Sequence, residues 1–148
     1  MLKISEYIEK EKSIFLKSDK YNNDHKNYFS NASADSIHCL NKITPYLKKG
    51  QKILEVGGGI HLLTGYIDHM NFDITSVEPG MFLDSIDNLR NEILLKKSLK
   101  VHTTTLEKFN TNEKFDFIFS MVTIVFSISV TIVMCSVFSF VDVVRFCP

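Results

Sequence analysis

Residues 52–60 read KILEVGGGI, and this run decides the fold. Lys52–Val56 is a short, mostly apolar strand carrying one acid, Glu55, next to its end. Three consecutive glycines, Gly57, Gly58 and Gly59, stop it, and a helical stretch, His61–Met70, follows. A strand that ends in glycines and feeds a helix gathers backbone N–H groups and a helix N-terminus in one place. Glycine there lets a ligand approach the backbone closely. The next apolar run, Asp73–Val77, predicts a second strand, ending in Glu78-Pro79. A carboxylate at that point, about 20 residues past the glycines, is placed to accept hydrogen bonds from two ribose hydroxyls.

Working outward, Met81–Leu95 predicts a helix, with Phe82, Ile86, Leu89 and Ile93 at helical spacing. Val101–Thr104 reads as a weak strand, and Phe115–Ser120 (FDFIFS) as a short strand buried on both faces. Strands alternating with helices predict an α/β architecture, a Rossmann-like parallel sheet with flanking helices. Before the sheet, residues 1–50 read as an N-terminal helical cap. Ile4, Tyr7, Ile8, Ile14 and Phe15 fit roughly one helical face. The Asn-rich stretch Tyr21 to Ser30 reads as loop, and a second helix is expected from Ser33 or Asp35, either of which could cap it. Ile37, Leu40, Ile43 and Leu47 form its apolar stripe, and Lys48-Lys49-Gly50 its basic last turn and glycine stop.

Two ligand classes use a glycine loop with an acid on the next strand. The dinucleotide fingerprint needs G-x-G-x-x-G, and here Leu62 takes the third glycine's place. Glu55, two residues before the first glycine, opposes a pyrophosphate but suits a ligand carrying an ammonium and a sulfonium. With these residues in place, the chain resembles the class I S-adenosylmethionine-dependent methyltransferases. ILEVGGGIHLLTGYI is similar to their first motif, acid-x-Gly-x-Gly, and VEPG at Val77–Gly80 to their second. TTTLEKF at Thr103–Phe109 falls where the family places adenine contacts, and KFDFIFS at Lys114–Ser120 resembles the fourth-strand motif. The resemblance covers about 70 residues, with the four motifs in order. It implies S-adenosylmethionine as cofactor, with Glu55, Gly57, Gly58 and Gly59 along its methionine moiety. Glu78, followed by Pro79, would hold the ribose, and Thr104, Thr105 and Leu106 would lie near the adenine. His61 stands where many members carry a further glycine, so its side chain narrows the site. The implied activity is methyl transfer to a small-molecule or glycan acceptor; no residue is singled out as a catalytic base.

Other features argue against competing classes. Net charge is zero, so no global field draws the chain to nucleic acid or anionic lipid. Cys39, Cys135 and Cys147 form no CxxC pair, and the histidines at 25, 38, 61, 69 and 102 show no ligand spacing, so neither a metal site nor a disulfide framework is expected. Those histidines read as surface or core residues, and Tyr21, Tyr28 and Phe29 as core or loop aromatics rather than a cover over a ligand. The charged N-terminus, MLKISEYIEKEKSIF, lacks the apolar run of a secretory signal, which points to the cytoplasm.

The chain then changes character. All 15 lysines and all 10 asparagines lie at or before Lys114, and no charge occurs from Phe117 to Val141. The family's full fold has seven strands, and this chain reaches the fourth. Three readings of the tail, residues 121–148, stay open. Met121–Val141, at 21 residues, spans about 31 Å as a helix, enough for a membrane anchor. The apolar residues at every even position from Val122 to Met134, with Thr123, Ser127, Ser129 and Thr131 between, suit a strand instead. The third reading, which the loss of Lys and Asn favours, is an out-of-frame tail on a truncated chain. The expectation is therefore an incomplete Rossmann-like sheet of four strands in residues 51–120 behind a helical cap. Its function is that of a methyltransferase, with a non-catalytic remnant, a dinucleotide-binding protein or a membrane-anchored protein as alternatives.

Overall fold

The computed structural model of the protein describes residues 3–80 and 99–120. Two helices come first, α1 (Ile4–Lys17) and α2 (Asn23–Ile43). The sheet region follows as β1 (Lys52–Val56), α3 (Leu62–His69), β2 (Asp73–Val77), β3 (Lys100–His102) and β4 (Phe117–Ser120). The expected helix at Met81–Leu95 and the whole tail, residues 121–148, lie outside the described residues.

All strand pairings are parallel, in the order β3-β2-β1-β4. The chain adds β2 and β3 on one side of β1 and then β4 on the other, so the order reverses between β1 and β4. Open parallel sheets bind ligands at such a reversal, outside the carboxyl ends of the strands. The register brings those ends level: Val56 pairs with Val77 and with Ser120, and Val77 pairs with His102. The ladder runs one step further, Gly57 N–H donating to Val77 O at 2.9 Å and Glu78 N–H to His102 O at 3.0 Å. At the opposite end, Lys52 and Asp116 exchange hydrogen bonds, Lys52 N–H to Asp116 Oδ2 and Asp116 N–H to Lys52 O, each 2.8 Å. Lys100 pairs there with Asp73. Charge thus borders the amino ends of the strands and leaves their carboxyl ends to the glycine loop.

α3 is the helix that fixes the loop. Leu62 to Ile67 are all buried, an apolar wedge between the sheet and the N-terminal helices. Tyr66 has no exposed surface and its hydroxyl lies 3.3 Å from Ser33 Oγ on α2. Tyr7 on α1 meets the Tyr66 ring edge-on and stacks on His69, with centroids 3.9 Å apart and planes 6° from parallel. Such ring pairs add to what apolar burial alone supplies. Phe15, Tyr21 and Phe29 stack at about 4 Å and close the turn between α1 and α2.

Four expectations for the cap are corrected. The stretch Tyr21 to Ser30 is not loop: α2 begins at Asn23, and Asn22 caps it by accepting from His25 N–H at 2.9 Å. The asparagines that resemble loop composition are the cap and the solvent face of a helix that buries Phe29. Ser33 and Asp35 therefore lie inside α2 rather than capping it. α2 also ends earlier than Lys48-Lys49-Gly50 implies, at Ile43, passing into a 3-10 turn at Thr44–Tyr46 where Pro45 cannot donate to the helix ladder. On α1, Ile8 and Phe15 are buried, whereas Ile14 is 53% exposed and leaves the proposed face.

Candidate functional site

The carboxyl ends of β1 and β2 carry one acid each, and the fold buries both. Glu55 has no exposed surface and Glu78 is 6% exposed. Burial of a carboxylate is costly unless it is paired, hydrogen-bonded or neutralised.

Glu78 meets that cost with backbone donors. Its Oε2 accepts from Gly59 N–H at 3.0 Å and its Oε1 from Gly80 N–H at 3.2 Å. One carboxylate thus clasps the tip of the glycine loop from the neighbouring strand. Each oxygen keeps a lone pair for a further donor. Tyr28 on α2 lies close enough that burial, and then the charge of Glu78, push its phenol above the ordinary range. Tyr28 itself packs against the hydrophobic core, as an aromatic of the cap is expected to.

Glu55 is treated differently. It is the register partner of Ser76 on β2, so both side chains stand on one face of the sheet. On that face Thr64 of α3 donates to Glu55 Oε2 through a short hydrogen bond. Glu55 Oε1 and Ser76 Oγ are buried on that face as well, with the Ser76 hydroxyl close enough to act on the Glu55 carboxyl. Burial pushes the Glu55 carboxyl up to about 7; the Thr64 and Ser76 hydroxyls pull the other way, and the charge of Glu78 raises it further.

The glycines are placed for three different reasons. Gly57, at φ 78°, turns the chain out of β1. Gly58 is packed from below: a Cβ there would stand 2.3 Å from Ser76 Oγ, 2.6 Å from His61 Nδ1 and 2.9 Å from Glu55 Oε2. Gly59, at φ 58°, has open space where its Cβ would project. The loop therefore presents a bare backbone upward and rests on polar side chains below.

His61 holds φ 60° without being glycine, and it is fully buried. Its N–H closes the loop on Gly58 O at 2.8 Å, and its Nδ1 lies 3.5 Å from Thr64 Oγ1. The ring sits against Gly58 among Ser76, Thr64 and Glu55. His61, Thr64 and Ser76 gather around Gly58 and Glu55, a placement that the sequence reading assigned to none of them. The signals were present: His61 and Thr64 are three apart at the start of a helix, and Ser76 interrupts an apolar strand.

Thr104, Thr105 and Leu106 follow β3 at the same carboxyl edge. Thr104 N–H donates to His102 O at 3.0 Å, the carbonyl that also receives Glu78 N–H. Thr105 precedes a 3-10 turn at Leu106–Lys108. They thus neighbour Glu78 through the backbone, while Glu78 holds Gly59 by a direct side-chain hydrogen bond. Pro79 stands between Glu78 and Gly80, whose φ of 73° lets its N–H return to the carboxylate. Among the described residues no group of three or more potential metal ligands occurs, and no helix is long and apolar enough to cross a membrane.

A family model described as tellurite resistance protein TehB matches residues 14–139, most of the chain. The chain belongs to the TehB family. TehB is a family of S-adenosylmethionine-dependent methyltransferases, and the parallel sheet with its flanking helices is the Rossmann-like fold that such an assignment requires. The match takes in α2, the glycine loop, Glu78 and β4 together. No curated protein and no solved structure matches the chain.

Proposed function

We propose that this TehB family member binds S-adenosylmethionine between its glycine loop and Glu78 and transfers the methyl group to a small-molecule acceptor. The observation that carries the reading is the pair of buried acids, Glu55 and Glu78, on either side of a backbone cradle with open space above Gly59. The residues present fit such a ligand. Glu78 keeps acceptor capacity for two vicinal hydroxyls after its two backbone hydrogen bonds. Glu55 offers negative charge below the loop, where a cationic ligand gains most because water is excluded. A dinucleotide suits the cradle less, since its pyrophosphate would meet two acids.

When bound, the cofactor supplies an electrophilic methyl group on a sulfonium. The chain's own residues then bind and align. Gly57 to Gly59 permit close approach of the backbone, Glu78 sets the ribose, and Thr104 to Leu106 border the base. Alignment of acceptor and methyl group is the protein's main contribution to such a transfer. The family's description, tellurite resistance, makes tellurite an acceptor to include beside neutral small molecules.

Calorimetry with S-adenosylmethionine and with its demethylated product tests the reading. Both are expected to bind, and Glu78→Ala to weaken binding roughly tenfold to a hundredfold, the loss of hydrogen bonds to a charged group. Absence of binding, or binding indifferent to Glu78→Ala, overturns it. Transfer of labelled methyl from the cofactor to tellurite or to a panel of small thiols and amines then identifies the acceptor.

A further inference from the structure

Beneath Gly58 the fold gathers a carboxyl, two hydroxyls and an imidazole, from Glu55, Thr64, Ser76 and His61, none with any exposed surface. Three of their atoms converge on the place a Gly58 Cβ would take: Ser76 Oγ at 2.3 Å, His61 Nδ1 at 2.6 Å and Glu55 Oε2 at 2.9 Å. Buried polar groups this close are costly unless donors meet acceptors, so the hydrogens can be assigned in turn. Thr64 and Ser76 have one hydroxyl hydrogen each. Thr64 donates its own to Glu55 Oε2, and the Ser76 hydroxyl acts on the same carboxyl. Both oxygens then face the rest of the cluster with lone pairs alone. His61 Nδ1 lies 3.5 Å from Thr64 Oγ1, at the outer edge of hydrogen-bond range. A bare Nδ1 there sets lone pair against lone pair, so with Glu55 ionised the hydrogen of that contact comes from the imidazole. The order is His61 Nδ1–H to Thr64 Oγ1, then Thr64 Oγ1–H to Glu55 Oε2. His61 holds this place at φ 60°, which glycine adopts without strain, so the ring is kept against a backbone cost.

We propose that His61 is a positioning residue of the cofactor site: acting through Thr64, its imidazole fixes the Glu55 carboxylate beneath Gly58, and with it the floor on which the glycine loop rests. The inference rests on the cofactor reading and adds to it a side chain that the family resemblance treats only as an obstruction. The ring lies under the loop against Gly58, so it acts on a ligand through Glu55 and the loop rather than by contact. Hydrogen bonds in series polarise one another, so the bond from Thr64 to Glu55 strengthens when Thr64 itself accepts one. The backbone of His61 serves the same end: its N–H donates to Gly58 O at 2.8 Å. One residue therefore holds the loop by its main chain and the acid by its ring. A floor fixed in advance loses no side-chain freedom when a ligand seats, which is the source of its effect on affinity.

The ring hydrogen is read by NMR of the full chain, isotope-labelled at its histidine ring nitrogens, at about pH 8, where Glu55 is ionised. His61 is expected to carry hydrogen at Nδ1, whether or not Nε2 carries one as well, because the partner of a ring nitrogen sets its protonation. Thr64→Val, which removes the acceptor at nearly constant volume, is expected to shift that ring's nitrogen resonances. The wild-type measurement needs no variant and holds if a substitution prevents folding. Calorimetry with S-adenosylmethionine gives the second readout. His61→Gly suits φ 60° but removes the ring, and is expected to weaken binding about two- to tenfold, the worth of one hydrogen bond. His61→Asn tolerates the same φ and keeps an N–H donor, and is expected to recover most of that loss. A wild-type ring with bare Nδ1, His61→Gly binding as tightly as wild type, or His61→Asn binding no better than His61→Gly overturns the proposal and leaves the cofactor reading standing. Wild-type protein that binds no S-adenosylmethionine removes the cofactor reading and the proposal together.

Discussion

Gly58→Ala separates a glycine required by packing from one required by backbone conformation. Gly58 has no positive φ, so alanine meets no intrinsic backbone strain there. What it meets is three atoms inside 3.0 Å: Ser76 Oγ at 2.3 Å, His61 Nδ1 at 2.6 Å and Glu55 Oε2 at 2.9 Å. None can withdraw freely. Ser76 is fixed to the central part of β2, His61 is fully buried in a left-handed turn, and Glu55 Oε2 is held by Thr64. Forcing one extra methyl into such packing costs about 1–3 kcal/mol, and three simultaneous contacts place this case near the upper end. Gly59→Ala is the control. Its Cβ enters open space, so its cost is the left-handed conformation alone, about 1 kcal/mol. Urea unfolding of both variants, each with and without Ser76→Ala, makes the comparison. Removing the Ser76 hydroxyl deletes the closest contact, so Gly58→Ala is expected to become cheaper by about 1 kcal/mol in that background, with Gly59→Ala unchanged. If Gly58→Ala costs no more than Gly59→Ala, or if Ser76→Ala makes no difference to it, the loop does not rest on this cluster and the reasoning fails.

Two further outcomes follow from the same residues. Burial pushes the Glu55 carboxyl up to about 7 in the folded protein against 4.5 for a free side chain, so the native state holds a proton that the unfolded chain has lost between those values. The stability this contributes is present below the lower value and is lost as pH rises through the upper one, a loss of about 3 kcal/mol. Glu55→Gln escapes it, so urea unfolding should show the variant gaining on wild type between about pH 4.5 and pH 7; parallel curves would contradict the assignment. Asn22→Ala removes the side-chain acceptor at the start of α2 and should cost about 1 kcal/mol, read as a drop of a few degrees in Tm; no change would mean that the helix does not begin where its cap is seen.

β1 and β2 carry the bounds expected from sequence, Lys52–Val56 and Asp73–Val77, because each is an apolar run closed by residues that cannot continue a strand. Three glycines close the first, and an acid followed by proline closes the second. Buried parallel strands leave this mark because both faces are covered and no polar alternation interrupts them. The cap was less legible. Tyr21 to Ser30 has the composition of a loop, and what makes most of it helix is tertiary: Phe29 buries against Phe15, and Ser33 answers the Tyr66 hydroxyl. Neither partner is near in sequence, and propensity alone is too weak a guide to overrule asparagine content. Ile14 fails for the converse reason, since a pattern of apolar residues on a short helix does not say which of two adjacent ones turns inward.

The site divides along the same line. Glu55, the three glycines and Glu78 are legible because a strand ending in glycines and an acid ending the next strand are marked by position along the chain. His61, Thr64 and Ser76 are not, because what they serve is each other. Ser76 matters only once β2 is registered against β1 and stands beside Glu55, and Thr64 only once α3 lies over that face. His61 reads as an obstruction in sequence, a side chain where a glycine is expected. In the fold its ring lies under the loop, against Gly58, and leaves the space at Gly59 open. The substitution of histidine for glycine therefore need not narrow the cradle from above. What it changes is the polarity of the floor, which in this chain is built from an imidazole, two hydroxyls and a carboxyl rather than from apolar side chains.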